Sequence, residues 1–331
     1  MFLTNPILVE ITRGPLVESI HRGSIAIADA EGVIRFALGD IQSPVYPRSS
    51  LKPIQALPLV ESGAAEAFGL SDEDVALACA SHSGEPMHTE RVAAWLERIG
   101  CSERDLACGP QPPRYEPALE AMIRRGDKPT RLHNNCSGKH TGFLTVARHW
   151  NIATAGYERI DHPVQQAVAT LLRELSGVDE LPWGVDGCTA PNFALPLGGF
   201  ARALAKLAGG RTLGAVRILR SMVAHPELVG GTGRACTVLM RAAAGRAAVK
   251  TGAEGVYAGI VPERGLGIAL KIEDGATRAA ETAIAAILDK LGVLGDGARE
   301  FLNAPVLNTR GATVGERRQA PALAQIDLTG L

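Results

Sequence analysis

The chain has 331 residues, enough for one large or two modest domains, each with a buried core. Of these, 46% are apolar, 21% charged and 4% aromatic, a composition that excludes a disordered or collagen-like polypeptide. Lys plus Arg number 34 against 35 Asp plus Glu, so the net charge of −1 lacks the basic footprint of a nucleic-acid binder.

Taken in chain order, residues Ile7 to Leu38 alternate apolar and polar side chains. Gly14-Pro15, Gly23 and Glu31-Gly32 punctuate the run, which reads as an antiparallel meander. From Ser49 to about Gly245 the spacing turns helical: Val92, Trp95, Leu96 and Ile99 make one apolar stripe, and Val164, Val168, Leu171 and Leu172 another. Sheet returns with Ala248 to Lys250, Gly255 to Val261 and Gly265 to Ile272, the last two joined by a turn at Pro262-Glu263-Arg264-Gly265. Thr277 to Leu291 is helical in pattern, and Ala312 to Glu316 suits a last short strand. The fold class expected is α+β: one antiparallel sheet from residues 1–48 and 246–331, with a helical subdomain at 49–245 inserted between, all within one unit.

Apolar stretches stop well short of the roughly 18 residues a membrane span needs, as Lys271 does after Ile268-Ala269-Leu270. The N-terminus Met1-Phe2-Leu3-Thr4-Asn5-Pro6 has no basic region and Pro6 breaks its apolar run, so a cytoplasmic location is expected. Six cysteines (Cys79, Cys101, Cys108, Cys136, Cys188, Cys236) are too sparse for a disulfide scaffold. Burial or metal binding must account for them.

Three clusters can carry chemistry. Ser49-Ser50-Leu51-Lys52 holds a Ser-x-x-Lys, a spacing that stacks a hydroxyl and an amine on one helical face. Chance alone yields roughly 0.3 such matches in this composition, so the motif gains weight only from company. Val249-Lys250-Thr251-Gly252 on the return strand supplies a Lys-Thr-Gly, as in penicillin-recognising enzymes, and Ala80-Ser81-His82-Ser83-Gly84 stands where those enzymes carry Ser-Asp-Asn, with Ser83 replacing Asn. A lysine at its ordinary pKa of about 10.4 is a poor base at neutral pH, so one amine has to be kept neutral by burial or by the other's charge. Either Ser49 or Ser81 can then attack; the plainer role for Ser81 is a helix cap or turn. The third cluster is His133-Asn134-Asn135-Cys136-Ser137-Gly138-Lys139-His140, directly before an apolar helix at Phe143 to Val146, matched by Cys188 in the turn Val185-Asp186-Gly187-Cys188-Thr189-Ala190-Pro191-Asn192. Two thiolates with a nitrogen from Lys139 or His140 would hold Zn²⁺ with one position open; the simpler alternative is two packed thiols.

Together, Ser-Ser-Leu-Lys-Pro-Ile-Gln, Ala-Ser-His-Ser-Gly-Glu, Asn-Asn-Cys-Ser-Gly-Lys-His, Asp-Gly-Cys-Thr-Ala-Pro and Val-Lys-Thr-Gly-Ala-Glu-Gly resemble the asparaginase II family, the rhizobial type of L-asparaginase. The resemblance runs from Ile7 to about Ala280. It implies a fold similar to serine β-lactamases and glutaminases, a homodimer, and hydrolysis of L-asparagine to aspartate and ammonia. It also implies two catalytic tandems, Ser49 with Lys52 and Ser81 with Lys250, a zinc held by Cys136, Lys139 and Cys188, and site-lining roles for Arg48, His140 and Asp186. Chemically, Arg48 suits the α-carboxylate and Asp186 the α-ammonium of an amino acid. The competing readings are a glutaminase, a β-lactamase or esterase, and a non-catalytic amino-acid-binding protein; neither a nucleic acid nor a membrane is an expected partner.

Overall fold

The N-terminal alternation folds as β1 (Ile7–Arg13), β2 (Leu16–Ala28) and β3 (Ile34–Leu38). Far along the chain come β4 (Ala248–Thr251), β5 (Val256–Val261), β6 (Leu266–Ile272), β7 (Ala304–Leu307) and β8 (Thr313–Gln319). In the computed structural model, which describes residues 4–210 and 212–331, these form one eight-stranded antiparallel sheet. Met1 to Leu3, part of the N-terminal segment read above, lie outside the described residues. The strand order is β7-β8-β1-β2-β6-β5-β4, with β3 also on β2. The two ends of the chain meet at Ile11 opposite Arg317, and Ile27 stands opposite Ile268.

The helices that matter here are α1 (Asp72–Ala78), α2 (Pro86–Arg98), α3 (Ser137–His149), α4 (Pro163–Ser176), α5 (Leu197–Ala208), α6 (Leu213–Ala224), α7 (Ala235–Ala242) and α8 (Thr277–Lys290). The apolar stripes land as their spacing requires. Val92, Trp95, Leu96 and Ile99 are buried on and just past α2, and Val164, Val168 and Leu172 on α4, with Leu171 half-buried beside them. Among the described residues no helix is long and apolar enough to cross a membrane.

Strands β5 and β6 are buried at nearly every position because a helix covers each face, so they read as apolar runs and not as alternation. On one side α5 comes so close that a side chain at Gly267 would lie 2.1 Å from the Ala205 nitrogen and 2.4 Å from the Ala201 oxygen. On the other, Ile284 of α8 packs with Ile268 over Gly259.

Two expectations need amendment. The last strand starts at Thr313 and runs on to Gln319, and its partner β7 escapes the sequence reading because Pro305 sits inside it, a residue tolerated at a sheet edge. The middle of the chain is not purely helix and loop: Pro44–Val45 pairs with Leu195–Pro196, and Trp183–Val185 with Pro191–Phe193. Ribbons of two or three residues are too short to show a period.

The contact at Gly267 is a testable constraint. Gly267→Ala forces a methyl into the backbone of α5, and thermal melting is expected to show a destabilisation of about 3 kcal/mol or more.

Candidate active site

Ser81 is delivered by α1. Ser71 caps that helix, its hydroxyl accepting from the Asp74 amide at 3.4 Å while its own amide donates to the Asp74 carboxylate at 3.0 Å. Arg91 and Arg98 hold the same carboxylate at 3.0 and 3.1 Å. The far end of α1 runs against the start of α3, where a side chain at Gly138 would stand 2.3 Å from the Leu77 oxygen. Glycine therefore permits the approach that lets Ser81 and Cys136 share one amine, that of Lys52. His82 ties the junction: its amide donates to Asn135 O at 3.2 Å, and its Nδ1 accepts from the Gly84 amide at 3.2 Å. Burial above all pushes this ring well below its ordinary pKa. Neutral His82 thus carries its proton on Nε2 and donates to Ser137 Oγ at 2.9 Å, which in turn donates to Leu132 O at 3.0 Å.

From the other side come the turn Arg48–Leu51, the single helical turn Lys52–Gln55, and the end of β4. A side chain at Gly252 would lie 2.4 Å from Pro47 O, so the glycine of Lys-Thr-Gly lets turn and strand touch. That contact brings both lysines to one hydroxyl. Lys52 Nζ donates to Ala80 O and lies 3.0 Å from Ser81 Oγ and 3.1 Å from Cys136 Sγ. Lys250 Nζ lies 2.8 Å from the same Ser81 Oγ and donates to Thr251 O at 2.8 Å. Exposures are 0% for Lys52, 1% for Lys250 and 6% for Ser81. Burial first, with help from the Lys52 charge and against the opposing pull of Cys236, pushes Lys250 down to about 7.

Spacing pairs Ser49 with Lys52, yet the structure turns the Lys52 amine to Ser81. A buried ammonium needs several acceptors, and Ala80 O, Ser81 Oγ and Cys136 Sγ supply them together where one serine hydroxyl cannot. Ser49 stays half-buried and lines a cavity of about 330 Å³, together with Arg48, Cys136, Asp186, Cys188 and Arg114.

In that cavity Arg48 Nε donates to Asp186 Oδ1 at 2.8 Å. Burial raises the Asp186 pKa, but Lys139, Arg48 and the Gly187 amide together hold it below the ordinary carboxylate range. Two residues beside the site take left-handed backbone, Arg48 at φ 53° and Thr189 at φ 78°. For β-branched Thr189 this is a strained conformation, fixed by bonds of its amide to Asp186 O and of the Asp186 amide to Ala190 O, both 2.9 Å.

Cys136, Lys139 and Cys188 converge. The Cys136 thiol donates to Asn135 Oδ1 at 3.2 Å; the interaction between the two sulfurs pushes Cys188 down to about 4, against burial and with the Lys139 charge, and pushes Cys136 up to about 12 together with burial. Lys139 Nζ donates to Cys188 Sγ at 3.1 Å. Burial alone would lower the Lys139 pKa, yet Cys188, Cys136 and Asp186 raise it on balance. Among the described residues no three His, Cys, Asp or Glu side chains gather as a metal cluster, so the donor set is two thiols and one amine. One of those thiols is already held as thiolate, and soft sulfur donors suit zinc; the trio fits such an ion once Lys139 gives up its proton. His140 is wholly buried and does not line the cavity. Its Nδ1 lies 2.6 Å from Tyr157 Oη, which accepts from the Ala107 amide, and its Nε2 has no partner among the described residues. Burial and the Lys139 charge push this ring down to about 3, so it is neutral.

Sequence reasoning missed Arg114 and Gln111 in the cavity wall, which sit in no recognisable motif, whereas Asn134 of the third cluster lines it too. The Thr251 and Gly252 amides beside Lys250 already donate to Cys236 Sγ at 3.3 Å and Val256 O at 2.8 Å.

Fold and site are those of a hydrolase that acts on amides. The family described as L-asparaginase II matches residues 9–319, and the chain belongs to it. No curated protein matches the chain. Among solved structures it is similar to a putative β-lactamase from Bacteroides dorei, at 15% identity over 76% of this chain and 84% of that one, TM-score 0.43. It is also similar to a β-lactamase from Mycobacterium bovis (14% identity, 81% and 93% covered, TM-score 0.39) and to simvastatin synthase from Aspergillus terreus (11%, 78% and 90%, TM-score 0.41).

The thiol pair gives a direct check. In metal-free protein the far-ultraviolet absorbance of one thiolate is expected to persist as pH falls and to vanish only near about pH 4; it disappears in Cys188→Ser and survives in Cys101→Ser.

Proposed function

We propose that the chain is an L-asparaginase that hydrolyses the side-chain amide of L-asparagine to L-aspartate and ammonia by serine–lysine catalysis. One observation carries the reading: Ser81 Oγ lies 3.0 and 2.8 Å from the amines of two buried lysines, beside a cavity into which Ser49 opens. The family supports amide hydrolysis, and the cavity volume of about 330 Å³ suits an amino acid.

With Lys250 near 7, the lysine pair readily gives up one proton close to neutral pH. Ser81 moves the remaining proton between the two amines, accepting from one ammonium as its own O–H donates to the other nitrogen. When Lys250 holds the charge, Lys52 is the neutral base. Its amine turns from Ser81 to Ser49 and takes the proton of that hydroxyl, whose Oγ attacks the amide carbon and forms a tetrahedral oxyanion. Lys52 returns that proton to the departing nitrogen, ammonia leaves, and a β-aspartyl ester of Ser49 remains. Water, deprotonated by the same amine, attacks the ester carbon; the bond to Ser49 Oγ breaks, Lys52 returns the proton to that oxygen, and aspartate leaves. Asp186 accepts the substrate α-ammonium. Cys136, Cys188 and Lys139 would hold a zinc ion, whose charge, when present, helps orient the substrate's polar groups.

The test is ammonia release from asparagine and glutamine by wild type, Ser49→Ala and Ser81→Ala, with metal content measured on the same samples. Asparagine turnover is expected in the wild type, a fall of about 10³-fold or more in Ser49→Ala and about 10²-fold in Ser81→Ala. Acid-quenched mass spectra should place the trapped ester on Ser49. A wild type inactive on asparagine, or full activity in both variants, overturns the reading. About one zinc per chain, lost in Cys188→Ser, is the expected metal result.

The pH dependence has a definite sign. Catalysis needs the lysine pair short of one proton, and Lys250 is the amine that titrates near 7, so kcat/KM rises between about pH 6 and 8 with an acid limb near pH 7.

A further inference from the structure

We propose that Arg114 is the residue that grips the α-carboxylate of the substrate, an assignment that rests on the asparaginase reading above. Two guanidinium groups line the cavity, and they differ in what already neutralises them. Arg48, the residue expected for this role, is engaged with Asp186 at 2.8 Å. Arg114 is exposed, lines the same cavity as Ser49, and has no carboxylate within 4 Å among the described residues. With Arg48 and Asp186 cancelling, the cavity wall is left with an unpaired positive charge facing the nucleophile's compartment.

The backbone under Arg114 is fixed from two sides. Its own amide donates to Ser83 O at 2.8 Å, two residues past Ser81, and Gly84 lacks the side chain that would come within 3.1 Å of Pro113 Cα. Earlier in the same segment, Asn134 Nδ2 donates to Gly109 O at 2.7 Å and the Asn135 amide donates to Gln111 Oε1 at 3.1 Å. Residues 109–114 therefore form a strap clamped to the Ser81 loop at one end and to the loop before Cys136 at the other. A strap held this way presents the guanidinium at a set place relative to Ser81 and Cys136, which is what a positioning group requires. A planar guanidinium matches a carboxylate with two parallel hydrogen bonds, and lysine does not reproduce that fork.

The experiment compares wild type, Arg114→Gln and Arg114→Lys by KM and kcat for L-asparagine, and by the inhibition constant of 3-aminopropanamide, the same amide and amine without the carboxylate. Arg114→Gln is expected to raise KM for asparagine about 10- to 100-fold, with a smaller change in kcat, while the inhibition constant of 3-aminopropanamide stays put; Arg114→Lys shows a smaller rise. If Arg114→Gln fails to fold, as a melting curve would show, Arg114→Lys reads the same comparison. KM unchanged, or both constants rising together as they would for a purely structural arginine, overturns the assignment. A wild type that does not hydrolyse asparagine overturns the functional reading instead, and is distinguished by that measurement alone.

Discussion

The site depends on one crowded arrangement: two lysine amines, both removed from water, within hydrogen-bond distance of a single serine oxygen. A solitary buried ammonium is strongly unfavourable, and a pair is worse, since each charge disfavours the other. The structure relieves this in two ways. Lys52 gathers a carbonyl, a hydroxyl and a sulfur around its amine. Lys250, with fewer partners, sheds its proton easily, at about 7. The rest of the architecture can be read as the means of holding those groups together: a capped helix that ends at Ser81, a glycine that admits α3, and a glycine that admits the turn of Ser49 to β4.

A second charge balance operates next to the first. Of the Cys136 and Cys188 pair one keeps its proton and the other is held as thiolate, and the thiolate side faces Lys139. The lysine trio of 52, 139 and 250 is therefore offset partly by a thiolate and partly by deprotonation, with Asp186 occupied by Arg48. What is left over at the cavity surface is positive, a fitting complement to an anionic group on a small ligand.

Much of this was legible in the sequence because it rested on local patterns. Alternation in Ile7 to Leu38 and the apolar runs at β5 and β6 announced strands, and Ser-x-x-Lys and Lys-Thr-Gly announced the amines. Partnership was not legible. Spacing places Ser49 and Lys52 on neighbouring turns, but a side chain with four methylenes goes where acceptors are, and those acceptors come from residues 80, 81 and 136. Arg114 was invisible for a related reason: an arginine among prolines and a glycine looks like any loop, and its place in the cavity follows from backbone bonds to Ser83, Asn134 and Asn135. Strand β7 was hidden by its own proline.

The pairing of Ile11 with Arg317 has a biosynthetic consequence. Every nucleophile and thiol of the site leaves the ribosome before Lys250 does, and the first strand must wait from Ile11 to Arg317 before its outer neighbour exists. At about 5–20 residues per second, that wait lasts tens of seconds. Through it the nascent polypeptide carries the serines without their second amine, so catalytic competence arrives as a late, all-together event and not gradually during translation.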